Sequence, residues 1–118
     1  MSESIIKNKS FEFSLDIIKL YSYLRDKKEF VISKQLLRSG TSIGANVKEA
    51  LSGQSKADFL HKMYIAYKEA QETEYWLELL EKSKLVNFDY KPYIEKNREL
   101  IRILTSITNT TSKNLNKK

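Results

Sequence analysis

Apolar residues recur along this chain at steps of three and four, the spacing that places side chains on one face of a helix. The spacing predicts a first helix over 10–27, with Phe13, Ile17, Leu20 and Leu24 on one face and Phe11, Leu15 and Ile18 in a second apolar strip. The charged run from Arg25 to Glu29 closes it as a solvated turn. A second helix is expected over 33–52, with Ser33 as N-cap and Gly53 as its stop. Leu36, Gly40, Ile43, Val47, Ala50 and Leu51 share its inner face, and its middle, Ser39 to Ala45, is almost all small residues. Two glycines inside a helix cost about 1 kcal/mol each relative to alanine. Close approach of a neighbouring element at Gly40 and Gly44 is the usual compensation.

The third helix is expected over 56–84, capped by Ser55 with Asp58 in its first turn. It continues without Gly or Pro and is about 45 Å long at 1.5 Å per residue. Phe59, Met63, Ala66, Ala70, Thr73 and Leu77 alternate four and three as its core stripe. Two more strips flank that stripe: Tyr64, Tyr67 and Tyr75 on one side, Ile65, Trp76 and Leu79 on the other. One bundle buries about one apolar stripe per helix, so the surplus points to a subunit interface. A fourth helix is expected over 90–108, with Asp89 as cap and Pro92 in the first turn. Tyr93, Leu100, Leu104 and Ile107 form its core stripe, and 109–118 reads as a fraying, basic tail. Together these elements predict an all-α four-helix bundle, one domain spanning residues 1–118.

Composition narrows the chemistry. Three glycines and one proline are too few for the turns of an all-β protein, and the absence of cysteine excludes disulfides, zinc–thiolate sites and thiol catalysis. Met1 to Ser10 contains no apolar run resembling a signal peptide, and no stretch is long enough to cross a bilayer, so a cytoplasmic location is expected. The glycosylation triplets at Asn8 and Asn109 then read as chance matches. The net charge of +6 is uneven: nine Lys/Arg against six Asp/Glu over 1–54, five against six over 55–84, and seven against three over 85–118. This surplus favours polyanions. Lys7, Lys9, Lys27, Lys28, Lys34, Lys113, Lys117 and Lys118 are the candidate nucleic-acid contacts, although a lysine-rich helix end is usually just solvated.

Polar residues on the inner helices have two readings. Arg38, Ser42 and Glu49 fall on one side of the second helix with Asn46 at the border, and Glu69 and Glu72 share a side of the third with Trp76. They form either an inter-helix network that fixes register or assembly, with Arg38 held by Glu69 or Glu72, or a phosphate site centred on Arg38. The acidic partners nearby favour the network. No catalytic residue, cofactor or metal site is expected. His61 is the only histidine, a di-iron bundle needs Glu-x-x-His pairs that are missing, and Ala45-Asn46 stand where a phosphate loop needs Lys and Ser/Thr.

The runs Arg38-Ser-Gly-Thr-Ser-Ile-Gly-Ala-Asn-Val-Lys-Glu-Ala50, Ser55-Lys-Ala-Asp-Phe-Leu-His-Lys62 and Lys68-Glu-Ala-Gln-Glu-Thr-Glu-Tyr-Trp-Leu77 resemble the four-helix-bundle family encoded within intervening sequences of bacterial 23S rRNA genes. The resemblance implies an antiparallel up-down four-helix bundle that is the protomer of a ring-shaped homopentamer with no enzymatic activity. It extends by fold to accessory proteins of diversity-generating retroelements, basic pentamers that bind nucleic acid and a reverse transcriptase. Gly40 stands where that pattern has alanine, which is expected to loosen the second helix. Two functions stay open: an oligomer that associates weakly with rRNA or other nucleic acid, and a scaffold that recruits a partner protein.

Overall fold

The computed structural model describes residues 2–116, folded as four helices: α1 (Ser2–Asp26), α2 (Ile32–Leu51), α3 (Lys56–Ser83) and α4 (Lys91–Asn116). No strand occurs among the described residues. The envelope measures 53 × 22 × 22 Å. Each helix packs on its two neighbours, α1 on α2 and α4, and α3 on α2 and α4, while the diagonal pairs do not meet. The core fills the space between them, from Ile6, Phe13, Ile17, Leu20 and Leu24 through Leu36, Ile43 and Val47 to Met63, Leu77, Leu80, Leu100 and Leu104.

Two helices are longer than their apolar stripes. α1 begins at Ser2, not near 10, because Ile6 and Ser10 carry its inner face back from Phe13 at steps of three and four, and both are buried. Ser10 is accommodated by donating its hydroxyl to the Lys7 carbonyl at 3.2 Å. α4 runs on to Asn116, so the expected tail over 109–116 is helical. Thr105 and Thr108 donate back to the carbonyls of Ile101 and Leu104, and Thr108, Ser112 and Leu115 line a groove against Ala57, Leu60 and Tyr64 of α3. Lys117 and Lys118 lie outside the described residues.

The helix starts are tied by side chains. Ser55 accepts from the Asp58 N–H at 3.0 Å, and Asp89 accepts from the Lys91 N–H at 3.2 Å. α2 differs from expectation: its cap is the Glu29 carboxylate, which takes the N–H groups of Val31, Ile32 and Ser33 at 3.1, 3.1 and 2.6 Å. Ser33 lies inside the helix, buried, and donates to the Glu29 carbonyl. Three orphan donors and the positive end of the helix thus meet one charge.

Gly40 and Gly44 set the spacing of α1 and α2. A Cβ on Gly40 would meet both Cγ atoms of Ile17 at 3.0 Å, and one on Gly44 would stand 3.2 Å from the Ser10 carbonyl oxygen. Gly40 is the recess into which Ile17 fits.

Candidate functional site

The polar residues of α2 and α3 form a ladder across their seam. At its centre Thr73 Oγ1 lies 2.9 Å from Ser39 Oγ and 2.8 Å from the Glu69 carbonyl, with both side chains fully buried. Outside it, Arg38 reaches the carboxylates of Glu69 and Glu72, and Trp76 donates its ring N–H to Glu72 at 3.0 Å. Further along, Lys62 meets Glu49 at 2.9 Å. Ser42 and Asn46 do not cross the seam: they donate to the Arg38 and Ser42 carbonyls of their own helix, 2.6 and 2.8 Å away. Arg38 therefore has two carboxylate partners within the chain, and a phosphate would have to compete with both.

The aromatic residues of α3 divide between core and surface. Tyr67 and Trp76 pack partly against the core. Tyr64 and Tyr75 stay 49% and 58% exposed. Tyr64 stacks on Tyr67 with ring centres 5.8 Å apart, and Tyr75 meets Trp76 edge-on at 5.0 Å. On α1, Ile5, Phe11, Leu15 and Ile18 are also exposed, and Phe11 and Ile18 face Thr41, Gly44 and Ala45 of α2 across an apolar groove edged by Lys7 and Lys48. The exposed large apolar side chains on helices thus belong to α1 and α3, the diagonal pair.

The candidate lysines are scattered. Lys9 is engaged with Glu99 at 3.3 Å. Lys7, Lys34 and Lys113 are exposed on separate helices. Lys27 hangs over the Tyr23 ring at 5.6 Å, beside Lys28. Lys28 and Lys84, with φ of 66° and 58°, end α1 and α3 in the left-handed conformation usually given to glycine. Both follow helices whose ends lie on one aromatic cluster, since Phe88, after α3, packs on Tyr23 at 4.9 Å and on Tyr90 at 5.2 Å.

Features that sequence reasoning missed lie mostly in the core. Asn97 is fully buried, donates to the Ala70 carbonyl at 2.9 Å and leaves its own carbonyl oxygen without a partner. Its three-residue spacing from Ile94 and Leu100 was the available signal. Tyr90, also buried, donates to the Val86 carbonyl at 3.0 Å, and burial pushes its phenol up to about 12, with Tyr23 and Glu29 adding to the shift. Tyr93 is raised by burial and by Asp16, and Lys96 by its hydrogen bond to Asp16. Among the described residues no group of three or more His, Cys, Asp or Glu could hold a metal, and no helix is long and apolar enough to cross a membrane.

Two comparisons found relatives. The family model described as 23S rRNA-intervening sequence protein matches residues 2–106. A crystal structure from Bacteroides thetaiotaomicron, of a protein with unknown function from the S23 ribosomal protein family, is similar over 92% of this chain and 99% of that one. Its sequence identity is 49% and its TM-score 0.88. No curated protein matched.

Proposed function

For a chain that belongs to the 23S rRNA-intervening sequence protein family, we propose a non-enzymatic role as the protomer of a cytoplasmic homo-oligomer that associates weakly with rRNA or other nucleic acid. The observation that carries the assembly is the pair of exposed apolar faces on α1 and α3, two helices that do not touch. Two unlike faces on opposite corners suit a head-to-tail contact, in which the α1 face of one copy meets the α3 face of the next; repetition closes a ring when the rotation allows. The family resemblance supports a pentamer for that ring. An up-down antiparallel course is supported by pairs that step in opposite senses: Ser39 with Thr73 and Glu49 with Lys62, Lys9 with Glu99 and Asp16 with Lys96.

The net charge of +6 supports the polyanion. Light scattering tests assembly: a mass several times that of the protomer is expected, falling when Leu15→Glu or Tyr75→Glu puts a charge into either face, and a monomer at millimolar concentration refutes it. RNA titration at two salt concentrations tests binding, which is expected to be tightest at low salt. Absence of binding there refutes it. The groove between α1 and α2 favours a second reading, a scaffold holding a protein partner. Partners that survive nuclease treatment in a pull-down from the host would favour it.

A further inference from the structure

The turn between α1 and α2 holds a second aromatic arrangement, separate from the α3 tyrosines. Tyr21 and Phe30 both line a cleft of about 330 Å³ whose remaining lining is Ser22, Arg25 and Asp26. The Arg25 guanidinium lies 5.6 Å from the centre of the Tyr21 ring. Phe30 is 54% exposed although the turn is firmly held. Lys28 takes a left-handed conformation there, Glu29 N–H bonds the Leu24 carbonyl at 2.9 Å, and the Glu29 carboxylate ties down three further N–H groups. A lysine at positive φ is unfavourable relative to glycine. Phe30 is thus exposed on a turn whose backbone is tied on both sides of it.

Charge selects the occupant. Residues 25–34 carry Arg25, Lys27, Lys28 and Lys34 against Asp26 and Glu29, and Glu29 is already committed to the α2 backbone. We propose that this cleft is a stacking slot for one unpaired base of a single-stranded nucleic acid, the base lying between Phe30 and the Tyr21–Arg25 pair while the exposed Lys28 takes a flanking phosphate. Aromatic rings and guanidinium planes are the surfaces on which unpaired bases stack, and lysines beside them track the backbone. Asp26 at the rim can accept from a base N–H. A duplex, whose bases are already stacked, cannot enter. This slot rests on the nucleic-acid reading above and gives it a location and a strand preference.

The test is fluorescence anisotropy with labelled single-stranded RNA and DNA decamers and the matching duplexes at low salt, alongside light scattering of each variant. The intact protein is expected to bind the single strands more tightly than the duplexes. Phe30→Ala, a change at an exposed position, is expected to weaken single-strand binding at least about fivefold with particle mass unchanged, and Phe30→Trp to restore it. Failure of the intact protein to bind any of the probes overturns the nucleic-acid reading and the slot together. Binding that is indifferent to Phe30→Ala and Tyr21→Ala, or equal for duplexes, overturns the slot alone and leaves a purely electrostatic surface. A drop in particle mass on Phe30→Ala makes the ring an assembly contact and also overturns the slot.

Discussion

The seam between α1 and α2 and the seam between α3 and α4 are both buried, yet they are closed by opposite means. α1 and α2 come together through what is missing from their side chains: Ile17 seats on Gly40, and the Ser10 backbone lies against Gly44. Among the described residues no hydrogen bond or ion pair joins these two helices. α3 and α4 are instead pinned by polar side chains, Asn97 to the Ala70 carbonyl inside and Arg98 to Glu74 at 2.7 Å outside. The first seam has few adjustable parts, because backbone fills its contact at Gly44 and a β-branched side chain fills it at Gly40. The second has an interior polar bond that tolerates one register and exterior charges that tolerate several.

The largest expected effect comes from reversing the interior bond. Asn97→Asp preserves shape but sets a carboxylate, fully buried, against the Ala70 carbonyl oxygen that the amide now serves. An uncompensated buried charge costs about 3–5 kcal/mol, a large part of the stability of a domain this size. The acid escapes by staying protonated, so its folded-state pKa is raised. The variant should be closest to the parent at low pH and lose stability as pH rises, which urea melts at acidic and neutral pH would record. Next is the glycine seam. Gly44→Ala gains helix propensity, but its Cβ would press on the Ser10 carbonyl, which cannot retreat without moving α1. A net loss of about 2 kcal/mol is expected. Gly40→Ala should cost less, because its neighbours are side-chain atoms of Ile17 alone. Equal losses at the two positions would show that the seam yields as a whole.

These seams also explain what could be read in advance. The four helices and most core residues followed from period alone, above all in α3, whose stripe runs from Met63 to Leu80 with only Thr73 breaking its apolar character. Boundaries failed where a polar residue stands on the inner face. Ser10 hid the first two turns of α1, and Thr108 hid the last two of α4, because each satisfies its hydroxyl within its own helix and so passes for surface. Asn97 was passed over for a different reason: a polar side chain at an inner spacing reads as surface unless its partner, here the Ala70 carbonyl of α3, is known. The α2 cap was sought at the adjacent serine, whereas Glu29 reaches it from the preceding turn. Arg38, Glu69 and Glu72 were legible as a group because helical spacing alone puts them on facing sides. Tyr21 and Phe30 were not, since the turn that places both on one cleft passes through a left-handed Lys28 and no periodicity encodes it.

A smaller effect should follow from the hydroxyl of Tyr90, which fixes the start of α4 to the Val86 carbonyl. Tyr90→Phe removes that bond at a cost of about 1 kcal/mol near neutral pH. The pH dependence sharpens the attribution. In the unfolded chain the phenol ionises near 10, and burial lifts it to about 12 when folded, so folding favours the neutral form. That contribution is complete below the unfolded value and is lost as pH rises from about 10 towards 12. The parent should therefore lose more stability than Tyr90→Phe between those limits, measured as the shift in urea midpoint for each.

The exterior of the α3–α4 seam should matter least. Arg98 reaches Glu74 at 2.7 Å and Glu78 at 3.8 Å, and the bond to Glu74 raises its pKa, but its side chain is half exposed and water screens both contacts. Arg98→Ala is expected to leave the thermal midpoint almost unchanged, and any small loss should disappear in high salt, where such pairs are screened. If Arg98→Ala instead destabilised as much as Gly44→Ala, the contrast between the seams would fail: surface charge would then set helix register as firmly as the glycine contact does. A null result for Arg98 together with a large loss for Asn97→Asp would place the specificity of the α3–α4 seam in its single buried amide.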